Sequence, residues 1–482
     1  MGLSVSERGG LRLSLVLYFL LGAGYSLLMP VWEGPDENAH YMIALQVARR
    51  GAFPTIDWNY EAYQPPLYYL LAAGPLRLLN EVNPALVDFY QPQRHWENVG
   101  RPAPIFDWNA ENYRILWGAL VLRWVNLLMG AVALIFLHRG VRRFLPQPEA
   151  IPLAAVALAG LNPQFLHIAA SVSNDALAIL AGAFLFWVLS RVFCEDVRWP
   201  AVALAASAAV LLPVFTKLTA LPMGIAVLLA AARHVYRARG AAKPVLLWAF
   251  VALGVALVAG MLFLTPKTAS VLLAEFQWRG LTLRTDAFQP QYLAPMVRQV
   301  LWSYWGKVGW LAVGLPEPLV AAVTALAALG ALASLRQLLR EGKGWMRSAL
   351  QALTLGVGVV LTALYGWWLL PGWVLGAIWV NRRRTGMESS GSSAAWVWLW
   401  IAAELALLVV ARNGLTTNRN QGRFLFPSLG PLALLIASGW SDRLPQRLAP
   451  YLPHLVLGLM LALNALLWLG GIIPIYYQPL LG

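Results

Sequence analysis

The chain has little cysteine and little charge. Its single cysteine, Cys194, excludes an internal disulfide and any cysteine-based metal site. Charged residues make up 12% of the 482 positions, about half the share in an ordinary soluble domain. What takes their place is apolar: 59% of the residues are hydrophobic. Apolar runs recur from end to end at the roughly 17–25 residues needed to cross a hydrocarbon core. Backbone groups in lipid must be satisfied within their own segment, so these runs are read as helices. The 23 Trp and 16 Tyr suit interfacial belts. The net charge of +14 does not mark a nucleic-acid binder, because its cations lie in short clusters between apolar runs and not on one basic domain.

These clusters order the topology. Arg8/Arg12, Arg139/Arg142/Arg143, Arg233/Arg237/Arg239/Lys243, Arg336/Arg340/Lys343/Arg347, Arg382–Arg384 and Arg443/Arg447 are assigned to the cytoplasmic side, so an even number of crossings separates neighbours. The first run, about 11–30, leads outward from a basic flank. No small-x-small cleavage site follows it, so it reads as an uncleaved span. The run at about 114–137 leads back. Further spans are expected at roughly 151–169, 176–193, 200–215, 219–232, 244–264, 313–335, 348–363, 366–381, 394–411, 424–440 and 452–474. The fold class is therefore an all-α, polytopic membrane bundle of about 13 transmembrane helices. Its N-terminus is expected in the cytoplasm and its C-terminus outside. Within 348–381 only Pro371-Gly372 and parity divide one long apolar stretch into two.

Residues 31–113 form one large extracytoplasmic loop on this reading. The apolar stretch Leu67–Leu79 within it is too short to span and is assigned to an interfacial helix. The loop holds ten acidic residues against five Arg and no Lys, a balance of 5 − 10 = −5 on a cationic protein. A second outer loop is expected at 265–312, and 385–393 reads as a flexible linker. No internal repeat is evident.

Four stretches carry chemistry, all predicted at the outer face. The first is Gly34-Pro35-Asp36-Glu37-Asn38-Ala39-His40-Tyr41, where Gly-Pro breaks the chain and Asp36 is placed to cap a following helix. On that helix Asp36 and Glu37 share a face with His40. Capping by solvated acids is the plain structural alternative. The second is Tyr63-Gln64-Pro65-Pro66-Leu67-Tyr68-Tyr69, in which the double proline starts a helix anchored by Tyr. The third runs from Asn162-Pro163-Gln164 to Ser173-Asn174-Asp175, and Asp175 falls in a short outer turn where it too can serve as a cap. The fourth, Asn418-Arg419-Asn420-Gln421-Gly422-Arg423-Phe424, puts two Arg where cations are disfavoured, and Lys217 lies at another outer end. One outer cation can snorkel; several together make an anion site, and phosphate is the natural anion at a bilayer face. Acids that take a proton beside cations that hold a phosphate suit sugar transfer from a lipid phosphate. Two ionisable residues inside spans, Arg123 and Glu404, are functional suspects or a structural pair.

In this order and on these loops, PDENAH at 35–40, QPPLYY at 64–69, SNDA at 173–176 and QGRFLFP at 421–427 resemble the GT-C superfamily of membrane glycosyltransferases, which includes protein O-mannosyltransferases, the aminoarabinose transferase of lipid A and the oligosaccharyltransferase catalytic subunit. The resemblance covers most of the chain in layout and only short stretches in motif. It implies a GT-C fold in the bacterial cytoplasmic membrane, an active site at the outer face and a polyprenyl-phosphate sugar as donor. It also implies Asp36 as the functional acid, with Glu37 its neighbour and Asp175 the acid of the second outer loop. Arg423 then stands where a donor-phosphate contact is expected, with Lys217, Arg419, His40 and Gln64 as further candidate substrate contacts. A divalent metal on Asp36, Glu37, His40 and Asp175 is compatible with the family, whose metal use varies. Unlike better-known members the chain shows no large C-terminal soluble domain, so acceptor recognition falls to the two outer loops. A transporter or flippase of a lipid-linked glycan is the alternative; it predicts related halves and broken helices at the midplane. A non-catalytic glycan-assembly relative is disfavoured by the Asp36 carboxylate.

Overall fold

A computed structural model of the chain describes residues 4–55, 57–82, 112–145, 148–194, 197–237, 254–255, 283–341, 391–417 and 420–477. These residues are almost wholly helical. Helix α1 (Val5–Leu28) is followed by two shorter helices, α2 (Glu37–Arg50) and α3 (Leu67–Val82), and then by the long α4 (Asn112–Phe144). After them come α5 (Ala150–Gly160), α6 (Pro163–Ala169), α7 (Asp175–Cys194), α8 (Trp199–Thr216) and α9 (Leu221–Arg237). The second half contributes α10 (Pro290–Trp305), α11 (Glu317–Glu341), α12 (Gly391–Thr417), α13 (Leu429–Arg443), α14 (Leu452–Leu467) and α15 (Ile473–Tyr477). A two-strand hairpin pairs Lys307 with Gly314 and Val308 with Val313.

Among the described residues eight helical segments are long and apolar enough to cross a membrane. The thirteen expected spans include two that lie outside the described residues, at 348–363 and 366–381, and one, at 244–264, of which only 254–255 are described. Of the remaining ten (13 − 3), eight meet that standard. One, Leu218–His234, is shorter, and one is bent. The bent one is the expected straight span at 151–169, which is instead α5 and α6 meeting at 63°. Asn162 causes the break: its backbone is extended and its side chain accepts from the amides of Gln164 and Phe165, starting a new helix at Pro163. Asn464 on α14 donates to the Leu161 carbonyl at the bend (2.8 Å).

The centre of the bundle is α4 laid along α7, with α1, α5, α13 and α14 packed around that pair in one apolar core. Close approach depends on small residues. A Cβ on Gly182 of α7 would run into the Pro427 carbonyl, and one on Gly439 of α13 into the Gly330 carbonyl of α11. A second core lies at one end, where Tyr41, Ile43, Tyr68, Tyr69 and Leu76 of α2 and α3 pack on Leu122 of α4. These two helices are short and one-sided, so they cover that end of the bundle. At the other end Glu7 of α1 faces His138 (3.2 Å) and Arg142 (3.4 Å) of α4.

Candidate active site

The site forms where the C-terminal end of α1, the N-terminal ends of α2, α7 and α13, and the C-terminal end of α8 meet. Asp36 does not cap α2. It occupies the N-cap position in the left-handed conformation (φ 58°, ψ 17°) and makes no side-chain capping bond. Its carboxylate points elsewhere: it accepts from the Tyr60 hydroxyl (3.2 Å) and from Arg423 Nη2 (3.2 Å). A non-glycine residue in that backbone region is uncommon and costs about 1 kcal/mol or more. The surroundings therefore impose the conformation.

The neighbouring acid does the imposing. Glu37 is fully buried and forms a bidentate pair with Arg123, at 2.7 Å to each of Nε and Nη2. The same carboxylate accepts from the amides of Trp32 (3.0 Å), Gly34 (3.4 Å) and Val172 (2.8 Å). Arg123 in turn donates to the carbonyls of Ser26, Met29 and Pro30 (2.7–3.1 Å). One ion pair thus ties the end of α1, the start of α2 and the 171–174 turn together, with Asp36 held between. The pairing of Arg123 with Glu404 entertained from the sequence does not occur; Arg123 is spent on Glu37. Arg123 was visible as an intramembrane charge, but its partner sits outside any apolar run and had no periodic signal linking the two.

Across from Asp36 lies Asp175, the first residue of α7, buried and bridged by cations. Lys217 Nζ reaches Asp175 Oδ1 (2.5 Å) and Asn174 Oδ1 (2.9 Å). Arg423 Nη1 stands 3.5 Å from Asp175 Oδ2. Arg423 therefore lies between the two carboxylates, and its buried Nε has no hydrogen-bond partner among the described residues. Local geometry explains both cations. Lys217 follows α8 in extended backbone, and Arg423 sits in the 3-10 segment Gly422–Ser428, which the Ser303 hydroxyl anchors by accepting from the Gly422 amide (2.9 Å). Gln64 joins the group at one remove. It accepts from Asn174 Nδ2 (3.0 Å) and donates to Glu61 (2.7 Å).

His40 is buried among the same charges, and its Nδ1 meets the Tyr69 hydroxyl at 2.9 Å. Burial, reinforced by Lys217 and Arg423 against the pull of Asp36 and Asp175, lowers its pKa to about 3, so the ring is neutral at physiological pH. Tyr60 keeps its proton: burial first, then the charges of Asp36 and Glu61, push its pKa well above the ordinary value, and its hydroxyl remains a donor to Asp36. Sequence reasoning missed Tyr60 and Glu61, which lie in a loop with no periodicity.

The structure brings Asp36, Asp175, Lys217 and Arg423 into one alternating set of two acids and two cations, with Gln64 and His40 at its edge. It keeps Glu37 apart, enclosed by Arg123 and backbone amides. Arg419 lies outside the described residues. Asp36, Glu37, His40 and Asp175 do not converge as a ligand set: Glu37 is enclosed, His40 Nδ1 meets Tyr69, and Arg423 stands between the two Asp. Among the described residues no group of three or more His, Cys, Asp or Glu is arranged to hold a metal.

No protein-family model and no curated protein sequence matches the chain. Two solved structures align with it. The crystal structure of the Archaeoglobus fulgidus oligosaccharyltransferase in complex with Zn and sulfate does so at 12% identity and a TM-score of 0.38, over 94% of this chain and 51% of that one. ArnT from Cupriavidus metallidurans bound to undecaprenyl phosphate does so at 14% identity and a TM-score of 0.37, over 93% of this chain and 78% of that one. The chain spans about half the length of the oligosaccharyltransferase.

Proposed function

We propose that the chain is a glycosyltransferase of the GT-C type that moves a sugar from a polyprenyl-phosphate donor to an acceptor hydroxyl at the outer membrane face. The observation that carries this reading is Arg423 held between Asp36 and Asp175, with Lys217 alongside and a buried N–H that no described residue accepts. In the reaction the acceptor oxygen bonds to the anomeric carbon, and its proton passes to a carboxylate, assigned to Asp36. The bond between the anomeric carbon and the phosphate oxygen breaks, and its electron pair stays with the phosphate. The donor is a phosphodiester and the departing lipid phosphate a monoester, so one negative charge develops on the leaving group. Arg423 and Lys217 are positioned to meet that charge as it forms, which makes their contribution specific to the transition state. Glu37, with Arg123, positions the Asp36 backbone and touches no substrate. The opposite end of the bundle carries Arg139, Arg142 and Arg143 on α4, and the positive-inside rule then turns the site outward.

The test is sugar release from a panel of polyprenyl-phosphate monosaccharides by purified protein, with and without a divalent ion. Wild type turns over one donor, and Asp36→Asn, inserted and folded normally, loses at least about 100-fold, the lower range for a general base. Full activity in that variant, or no turnover of any donor by wild type, overturns the reading.

A further inference from the structure

The segment between α2 and α3, residues 51–66, has no role in the chemistry above beyond Tyr60, Glu61 and Gln64. It reads GAFPTIDWNYEAYQPP: four aromatic residues interleaved with acids and amides, and no Lys or Arg. Two of the aromatics stand out in the open. Phe53 is 40% exposed and Trp58 45%. Tyr60 and Tyr63 are partly covered.

Its described residues form no helix of their own, yet they are well braced. The Trp58 and Asn59 amides both donate to the Thr55 carbonyl (3.1 Å). Asn59 Nδ2 donates to the Ala39 carbonyl on α2 (3.0 Å), and its Oδ1 accepts from the Glu61 amide (2.9 Å). Gln64 pins the far end to Asn174, and Phe53 stands edge-on against Tyr69. Beyond the contact of Phe53 with Tyr69, these rings turn apolar surface outward from a braced loop, which is the arrangement of a preorganised ligand surface. Tyr60, two residues past Trp58, connects this surface to the Asp36 carboxylate.

The chemistry selects the ligand class. Flat apolar rings with the exposed Asp57 carboxylate beside Trp58 match a pyranose or furanose, which has an apolar C–H face and a rim of hydroxyls. A bilayer surface fits less well. Interfacial Trp is common, but here Asp57 adjoins Trp58, Glu61 follows, and the surrounding 31–113 stretch carries the net −5 described above, which an anionic headgroup layer repels. The same balance disfavours an anionic glycan. We infer that residues 53–55 and 57–60 form the acceptor platform and that the acceptor is an uncharged saccharide whose ring lies on Trp58 and Phe53 with its reactive hydroxyl directed toward Asp36. This inference rests on the transfer reading for the word acceptor; the saccharide site itself does not need it.

The full-length protein in detergent is screened against neutral oligosaccharides (gluco-, manno-, galacto- and arabino-oligomers), and the best binder is titrated calorimetrically without donor. Wild type binds one of them. Trp58→Ala weakens that binding about tenfold, Trp58→Phe restores most of it, and Leu70→Ala, exposed on α3, leaves it as in wild type. In parallel a spin label at position 58, in a Cys194→Ser background in nanodiscs, is reached by a water-soluble relaxant. No saccharide binding by wild type, unchanged binding in Trp58→Ala, or a label reached only by the lipid-soluble relaxant overturns the platform. Saccharide binding that depends on Trp58 in a protein that turns over no donor leaves the platform standing and removes the transferase reading. Asp36-dependent donor turnover without saccharide binding does the reverse.

Discussion

Asp36 and Glu37 are adjacent and chemically alike, but the structure divides their work. Asp36 is the carboxylate that Arg423 and Tyr60 share, with its side chain 15% exposed; Glu37 is the fully buried one that fixes the backbone. Removing one partner of a buried ion pair leaves the other charge uncompensated, at a typical cost of about 3–5 kcal/mol. Glu37→Gln and Arg123→Ala are therefore expected to lower the thermal midpoint of the purified protein sharply, whereas Asp36→Asn lowers activity and leaves the midpoint near wild type. Equal midpoints for Glu37→Gln and Asp36→Asn would contradict this division. His40 gives a pH signature. Its folded pKa, about 3, lies below the unfolded value of about 6.5. The unfolded state then binds the proton first, so the His40 contribution to stability is complete above about pH 6.5 and is lost as pH falls toward 3. The gap in midpoint between wild type and His40→Gln should narrow over that window. The sequence showed Asp36, Asp175, Lys217 and Arg423 as charges out of place. It did not show which acid was spoken for, because that depends on the Val172 amide and on Arg123, both remote in the chain.

At the scale of elements, most helices were legible because lipid-crossing runs are long and uniformly apolar, and α3 begins at Leu67 directly after Pro65-Pro66 as their chemistry requires. The bend at Asn162 was not legible. Its cause is a polar cap inside an otherwise continuous apolar run, which hydropathy averages away. Asp36 as a helix cap failed for a related reason: capping propensity is local, and a tertiary contact with Arg423 competes for the same oxygens. The glycine contacts separate two kinds of damage. Gly182→Ala pushes on Pro427, four residues from Arg423, and should reduce transfer more than it reduces stability. Gly439→Ala separates α13 from α11 far from the site, and should reduce stability with little effect on transfer per folded molecule. Thermal unfolding and donor turnover measured on both variants check this. Equal effects of the two on turnover would remove the link from α7 to Arg423.

At the scale of the whole molecule the two ends of the bundle can be told apart chemically. Cys194 is exposed at the end of α7 opposite Asp175, so it reports the side away from the site. A membrane-impermeant maleimide is expected to label Cys194 in inverted vesicles and not in intact cells. A cysteine at position 58, in a Cys194→Ser background, should show the reverse pattern. Labelling of Cys194 from outside would turn the bundle over.

The Arg123–Glu37 pair also constrains how the protein is made. Arg123 lies six residues inside the apolar stretch of α4 that begins at Trp117. Alone in lipid it would carry a penalty that reaches about 2.5–3.5 kcal/mol at mid-membrane. Every group that relieves it on the α1 and α2 side — Ser26, Met29, Pro30 and Glu37 — has already left the ribosome when α4 emerges. Synthesis order thus supplies the counter-charge before the charge, and α4 enters the bilayer as the second half of a unit whose first half is waiting.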